Sequence, residues 1–125
     1  MLAYATLGVS DMDRAVAFYD AVLAPMGCSR ETTSPTWTGY RRRGEPAWLF
    51  LTKPYDGGVA THGNGTMLAF LAPSREAVQA FHAAGLAHGG RDEGAAGERP
   101  GMDPVFYGAY VRDPDGNKLC AFTRG

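Results

Sequence analysis

The sequence predicts an α+β fold made of two βαβββ units in one chain. Three observations predict it. Two stretches, about 11–26 and about 75–88, carry apolar residues at i, i+3, i+4 and i+7 and read as amphipathic helices. A shift of 63 residues superimposes them, laying Phe18 on Phe81, Leu23 on Leu86, Asp11 on Ser74 and Gly27 on Gly90, and it also carries Tyr4 and Leu7 onto Met67 and Phe70. The stretch 107–122 reads as a strand, an Asp-Pro-Asp-Gly turn and a returning strand, with Pro114 presetting φ and Gly116 able to take a positive φ.

The elements follow in order. A strand at 2–9 leads to the first helix, with Ser10 as N-cap and Asp13 three residues on in the manner of a capping box. Met12, Ala15, Val16, Tyr19, Val22, Leu23 and Met26 form its apolar face, Pro25 ends its regular part early, and Gly27 stops it. Strands are expected near 28–33, 36–43 and 47–52. A crossover rich in Pro and Gly occupies about 54–64, so one unit spans about 1–53 and the other about 65–125, within a single domain. The second unit opens with a strand at 66–72. Ser74 caps its helix, Ala77, Val78, Phe81 and Ala84 face inward, and Gly89-Gly90 ends it; strands near 91–94, 105–112 and 117–123 close the chain. Two such units pair into an open curved sheet with helices on its outer face.

Composition narrows the function classes. Of the 125 residues 45 % are hydrophobic and 20 % charged, ordinary for a globular domain. A net charge of −1 gives no general electrostatic reason to bind nucleic acid or an anionic membrane. No apolar run approaches the roughly 20 residues of a membrane span. Residues 1–6 lack a basic n-region and a long apolar h-region, which predicts no signal peptide. Cys28 and Cys120 lie far apart without C-x-x-C spacing, which fits free thiols in a reducing, cytoplasmic setting.

If residues 113–116 form the closing turn, Arg112 faces Asn117, Ala109 faces Cys120 and Tyr107 faces Phe122. Residues two apart share a face, so Tyr107, Ala109, Lys118, Cys120 and Phe122 are predicted to point together into the concavity. Lys118 beside Cys120 raises the reading of an activated thiol against that of an inert pocket cysteine. Arg41-Arg42-Arg43 sits on an expected strand, and alternation splits it across two faces. His62 falls in the crossover, while His82 and His88 are six apart and share no helix face as metal ligands would.

Four motifs stand in a telling order: L-G-V-S-D at 7–11, A-F-Y-D-A-V-L-A-P-M-G at 17–27, G-N-G-T at 63–66 and V-R-D-P-D-G-N at 111–117. Together they resemble the glyoxalase/bleomycin resistance protein/dioxygenase family, also called the vicinal-oxygen-chelate family, over nearly the whole chain. The resemblance implies the fold just described, a homodimer, and a concave cup in which enzymes of the family hold a divalent metal on His and Glu from the first, fourth, fifth and eighth strands. Carried over position by position, those places fall on Tyr4, on Trp48 or Phe50, on Met67 and on Cys120. None is His, Asp or Glu, so no metal and no cofactor is expected. Tyr, Met and Cys suit a soft ion such as Cu(I) better than Mg or Ni; the other reading of the same set is an apolar wall. Tyr4, Trp48, Phe50, Met67, Tyr107 and Cys120 are then the expected lining of a small-molecule pocket, unless the aromatics simply fill the sheet interior. The family includes ligand-sequestering proteins, lyases, isomerases and dioxygenases, so the resemblance implies either a metal-free binding protein or a lactoylglutathione-lyase-like or dioxygenase-like enzyme with a divergent site.

Overall fold

The structure is a computed structural model describing residues 1–125. Its elements run β1 (Tyr4–Gly8), α1 (Met12–Leu23) with a 3₁₀ turn at Ala24–Met26, β2 (Cys28–Thr33), β3 (Trp37–Arg42), β4 (Trp48–Thr52), β5 (Met67–Leu71), α2 (Arg75–Ala87), β6 (Arg91–Glu98), β7 (Tyr107–Arg112) and β8 (Lys118–Thr123). This is βαβββ twice. Within the chain the curved surface consists of two four-stranded mixed sheets, ordered β1-β4-β3-β2 and β5-β8-β7-β6. In each, the first strand runs parallel to the fourth and the others pair antiparallel.

Alternation buries one face of each sheet under the helices. Leu7, Tyr40, Leu49 and Leu51 from the first sheet join Ala109, Val111, Leu119 and Ala121 from the second in one core. Met12, Ala15, Phe18, Tyr19, Val22 and Leu23 of α1 and Ala77, Val78 and Phe81 of α2 complete it; Phe18 joins the expected stripe, while Val16 and Ala84 are only partly buried at its edge. Pro25 lies in the 3₁₀ turn, and Gly27 follows in the left-handed region at φ +77°, where a side chain would be strained. Ser74 caps α2, accepting from the Ala77 N–H at 3.1 Å.

Two local expectations are corrected. The N-cap of α1 is Asp11 rather than Ser10: the Asp11 side chain accepts from the Arg14 N–H at 3.1 Å, while the Ser10 N–H donates to Asp115 at 2.9 Å. The closing turn is one residue longer than expected. Asp113 Oδ1 accepts from the backbone N–H of both Asp115 and Asn117, and the Asp113 N–H donates to the Asn117 carbonyl. The Asp side chain thus holds a five-residue loop, with Gly116 at φ +89°, and the first strand pair is Arg112 with Lys118.

That loop also joins the halves of the molecule. Asp113 Oδ2 accepts from the Tyr19 hydroxyl of α1 at 2.6 Å and from Asn117 Nδ2 at 2.9 Å, and Asn117 Nδ2 also reaches the Gly8 carbonyl at the end of β1. The D-P-D-G-N loop and the L-G-V-S-D segment, two of the motifs that carry the resemblance, are therefore in direct contact.

Candidate functional site

The faces turned away from the helices are open. On the first sheet, register places Tyr4 beside Trp48, Thr6 beside Phe50, and Gly39 and Arg41 beside Phe50 and Trp48. Phe50 is the centre of a four-ring cluster. Trp48 stacks on it with ring centroids 5.3 Å apart and planes 7° apart, Trp37 stacks at 4.8 Å, and Tyr4 meets it edge-on at 5.5 Å. Arg41 lies 4.5 Å above the Trp48 ring and is held by both oxygens of Glu31 at 3.0 Å. Tyr4 is 58 % and Trp37 39 % exposed, so the cluster is a surface and not a filled interior. Trp37 was missing from the expected set, although stepping by two from Arg41 along one strand leads to it.

On the second sheet, Met67, Ala69 and Leu71 of β5 lie beside Lys118, Cys120 and Phe122 of β8. Across β8, Tyr110 faces Cys120 and Gly108 faces Phe122. The expected pairing of Ala109 with Cys120 and of Tyr107 with Phe122 is therefore off by one residue, and a one-residue slip turns every side chain of a strand over. Tyr107 and Ala109 point to the helix side. Tyr107 accepts from Gln79 at 2.8 Å and lies under Arg75, both from α2, so it does not share the open face with Cys120.

Of the expected lining, Tyr4, Trp48 and Phe50 come together on the first face and Met67 and Cys120 on the second. A crevice of about 300 Å³ is lined by Tyr4 and Trp48 of the first open face, by Leu71 of the second, and by helix-side residues such as Tyr40, Leu49 and Phe70. Arg42 also lines this crevice. It faces the helix side, opposite to Arg41, and donates to the carbonyls of Met26 at 2.8 Å and Leu71 at 2.7 Å.

The places that the resemblance gives to metal ligands offer a phenol, a thioether and a thiol. Cys120 is 1 % exposed; burial pushes its pKa up, and the opposing pull of Tyr110, Arg99 and Lys118 is smaller. The thiol is therefore not activated by Lys118. Cys28 is likewise raised, by burial first. No three His, Cys, Asp or Glu side chains converge as a metal site would require. The donor set at Tyr4, Met67 and Cys120 does not fit a hard divalent cation. The histidines have other partners: His82 meets Asp92 at 2.8 Å, and His88 and His62 contact the carbonyls of Ala84 and Gly63.

Paired βαβββ units, helix-covered on one side and open on the other, joined by a D-P-D-G-N loop, define a class. The chain belongs to the Glyoxalase/Bleomycin resistance protein/Dioxygenase superfamily, whose sequence profile matches residues 1–121. It is similar to a glyoxalase/bleomycin resistance protein from Albidiferax ferrireducens, with 41 % identity, 98 % of both chains covered and a TM-score of 0.91. It is 32 % identical over 124 residues to a lactoylglutathione lyase of Haemophilus influenzae, covering 94 % of this chain and 88 % of that protein. A lactoylglutathione lyase from Agrobacterium tumefaciens shares the fold at 19 % identity and a TM-score of 0.67, over 98 % of this chain and 92 % of its own. No helix is long and apolar enough to cross a membrane.

Proposed function

We propose that this chain is a superfamily member that has lost the usual metal ligands and binds a small organic molecule against its open sheet faces. The observation that carries the reading is the solvent-facing cluster of Tyr4, Trp37, Trp48 and Phe50. An exposed aromatic platform with a single fixed cation, Arg41, is the makeup of a surface that takes up a flat apolar ligand. The setting is cytoplasmic. A homodimer completes the cup by laying the open face of one copy toward that of a second, and it would cover Tyr4, Met67 and Leu71, which are 58, 41 and 57 % exposed in one chain.

The first experiment is elemental analysis of protein purified without an affinity tag, then thermal-shift titration with Ni, Zn, Mn, Fe(II) and Cu(I). The expected result is no stoichiometric metal and no stabilisation; a bound metal, or a shift of several degrees with one ion, overturns the metal-free reading. Ligand screening by quenching of tryptophan fluorescence follows, and sedimentation at micromolar concentration checks the dimer.

The likeness to the lactoylglutathione lyase of H. influenzae favours a second reading, a lyase-like enzyme with a divergent site. Lactoylglutathione lyase activity in the purified protein, with or without added metal, decides for it.

A further inference from the structure

The open face of the second sheet carries positive charge where the resemblance expects a metal ligand. Arg99 folds back over this face. Its guanidinium donates to the carbonyls of Gly97 and Ala95, both at 2.8 Å, and its central carbon lies 5.3 Å from the centre of the Tyr110 ring. The Lys118 ammonium lies 5.6 Å from the centre of the same ring. Neither Arg99 nor Lys118 makes a salt bridge, although Lys118 lies close enough to Glu93 to help hold that carboxyl below its usual range. Of the other cations, Arg112 is matched by Glu93 at 2.8 Å, Arg91 stands beside Arg112 in register, and Arg124 lies 5.6 Å from the centre of the Phe122 ring and donates to the Pro104 carbonyl. Arg99 and Lys118 thus flank Tyr110 and its cross-strand partner Cys120 without a salt bridge to either cation, in a protein whose net charge is −1.

Such a pair repels a metal ion and attracts an anion. The guanidinium is fixed by backbone carbonyls before any ligand arrives, so little side-chain freedom is lost on binding. Beside the cations runs an apolar strip, Met67, Ala69, Leu71 and Phe122, of which Met67 and Leu71 are exposed. We propose that this face binds the carboxylate of a small apolar organic acid, with Arg99 and Lys118 supplying as fixed side chains the positive charge that a metal supplies elsewhere in the superfamily. The inference rests on the reading that the open faces hold a small molecule, and it names the class of that molecule.

The test is an amide-shift titration of the whole protein with sodium benzoate and, separately, with benzyl alcohol, its neutral counterpart. Benzoate is expected to shift the amides of Tyr110, Lys118 and Cys120, to bind about 10-fold more tightly than the alcohol, and to weaken as salt rises. Lys118→Met on its regular strand, and Arg99→Gln independently, are each expected to weaken benzoate about 5-fold or more and to leave benzyl alcohol unchanged. Equal binding of acid and alcohol overturns the anion site while leaving the small-molecule reading intact. Benzoate binding unchanged in both variants overturns it as well, as does the absence of any benzoate shift on this face. Failure of the metal-free reading appears separately, as a stoichiometric metal in the elemental analysis.

Discussion

The two open faces share a construction detail and differ in nearly everything laid over it. In the first sheet Gly39 of the third strand stands beside Phe50 of the fourth; in the second, Gly108 stands beside Phe122. Each glycine lies under an aromatic ring. A Cβ at 39 would come within 2.7 Å of Phe50 Cε1, and one at 108 within 2.5 Å of Phe106 Cε1, whose ring stacks on Phe122 at 4.9 Å. The rings around Phe50 are Tyr4, Trp37 and Trp48, with Arg41 neutralised by Glu31. The polar and charged groups that act on Cys120 in the second sheet are Tyr110, Arg99 and Lys118, and neither cation is held in a salt bridge as Arg41 is. The comparison teaches that the duplicated scaffold fixes where a ring must cover a glycine, while the side chains around that ring are free to become an apolar platform or a charged one.

The harshest way to break the comparison is to fill both glycine hollows. Gly39→Val and Gly108→Val each force a ring off the sheet and should cost about 1–3 kcal/mol, read as a lower Tm. If the faces divide the work as described, the first abolishes binding of a neutral aromatic probe and the second spares it. Equal loss in both variants would erase the distinction.

Alkaline pH acts on two buried tyrosines of the first half, one of them bonded to the second. Burial first, and then the neighbouring carboxylate, pushes the hydroxyl of Tyr19 up against Asp113 and that of Tyr40 up against Asp20. Both residues belong to the first half. The folded protein keeps these protons where the unfolded chain has lost them. Stability is therefore complete below about pH 10 and falls as pH rises beyond it, by up to about 1.4 kcal/mol per pH unit for each tyrosine. Thermal melts between pH 9 and 11.5 should show this limb. Tyr19→Phe and Tyr40→Phe should each flatten it, and an unchanged limb in both would refute the assignment.

A milder change tests the platform itself. Trp48→Ala removes one stacked ring and the seat of Arg41, and should weaken an aromatic probe about 10-fold, or roughly 1.4 kcal/mol, in a fluorescence titration using the remaining Trp37. The smallest effect is also the sharpest. Glu31→Gln leaves Arg41 unpaired and gives the first face a free cation like those of the second. Stability should change by less than about 1 kcal/mol, while benzoate gains affinity on this face. No gain would mean that charge alone does not set the difference.

The helices and the twice-repeated βαβββ order of elements were legible in the sequence because periods of 3.6 and 2 record burial directly, whereas the order of strands within each sheet was not. Strand ends moved by a residue or two, and β6 runs four residues further than expected, through a stretch with two register shifts that no simple alternation describes. The site was legible only in part. Tyr4, Trp48 and Phe50 share a face because alternation within β4 is unambiguous, whereas the face of Tyr107 depended on a turn length set by the Asp113 side chain and not by the Pro and Gly that mark the turn. Arg99 was beyond reach. It lies outside any strand, and only the fold back of its side chain over Tyr110 brings its charge to the face.

The Asp113 loop has a consequence for how the molecule comes apart. Its carboxylate takes hydrogen bonds from Tyr19 in one half and from Asp115 and Asn117 in the other, and Asn117 in turn holds Gly8. Opening either half alone would strand a buried carboxylate without part of its shell, which is costly. The halves are therefore one cooperative unit despite their internal repetition: amide protons in α1 and in β8 should exchange through the same global opening, and the duplicated architecture should melt once rather than twice.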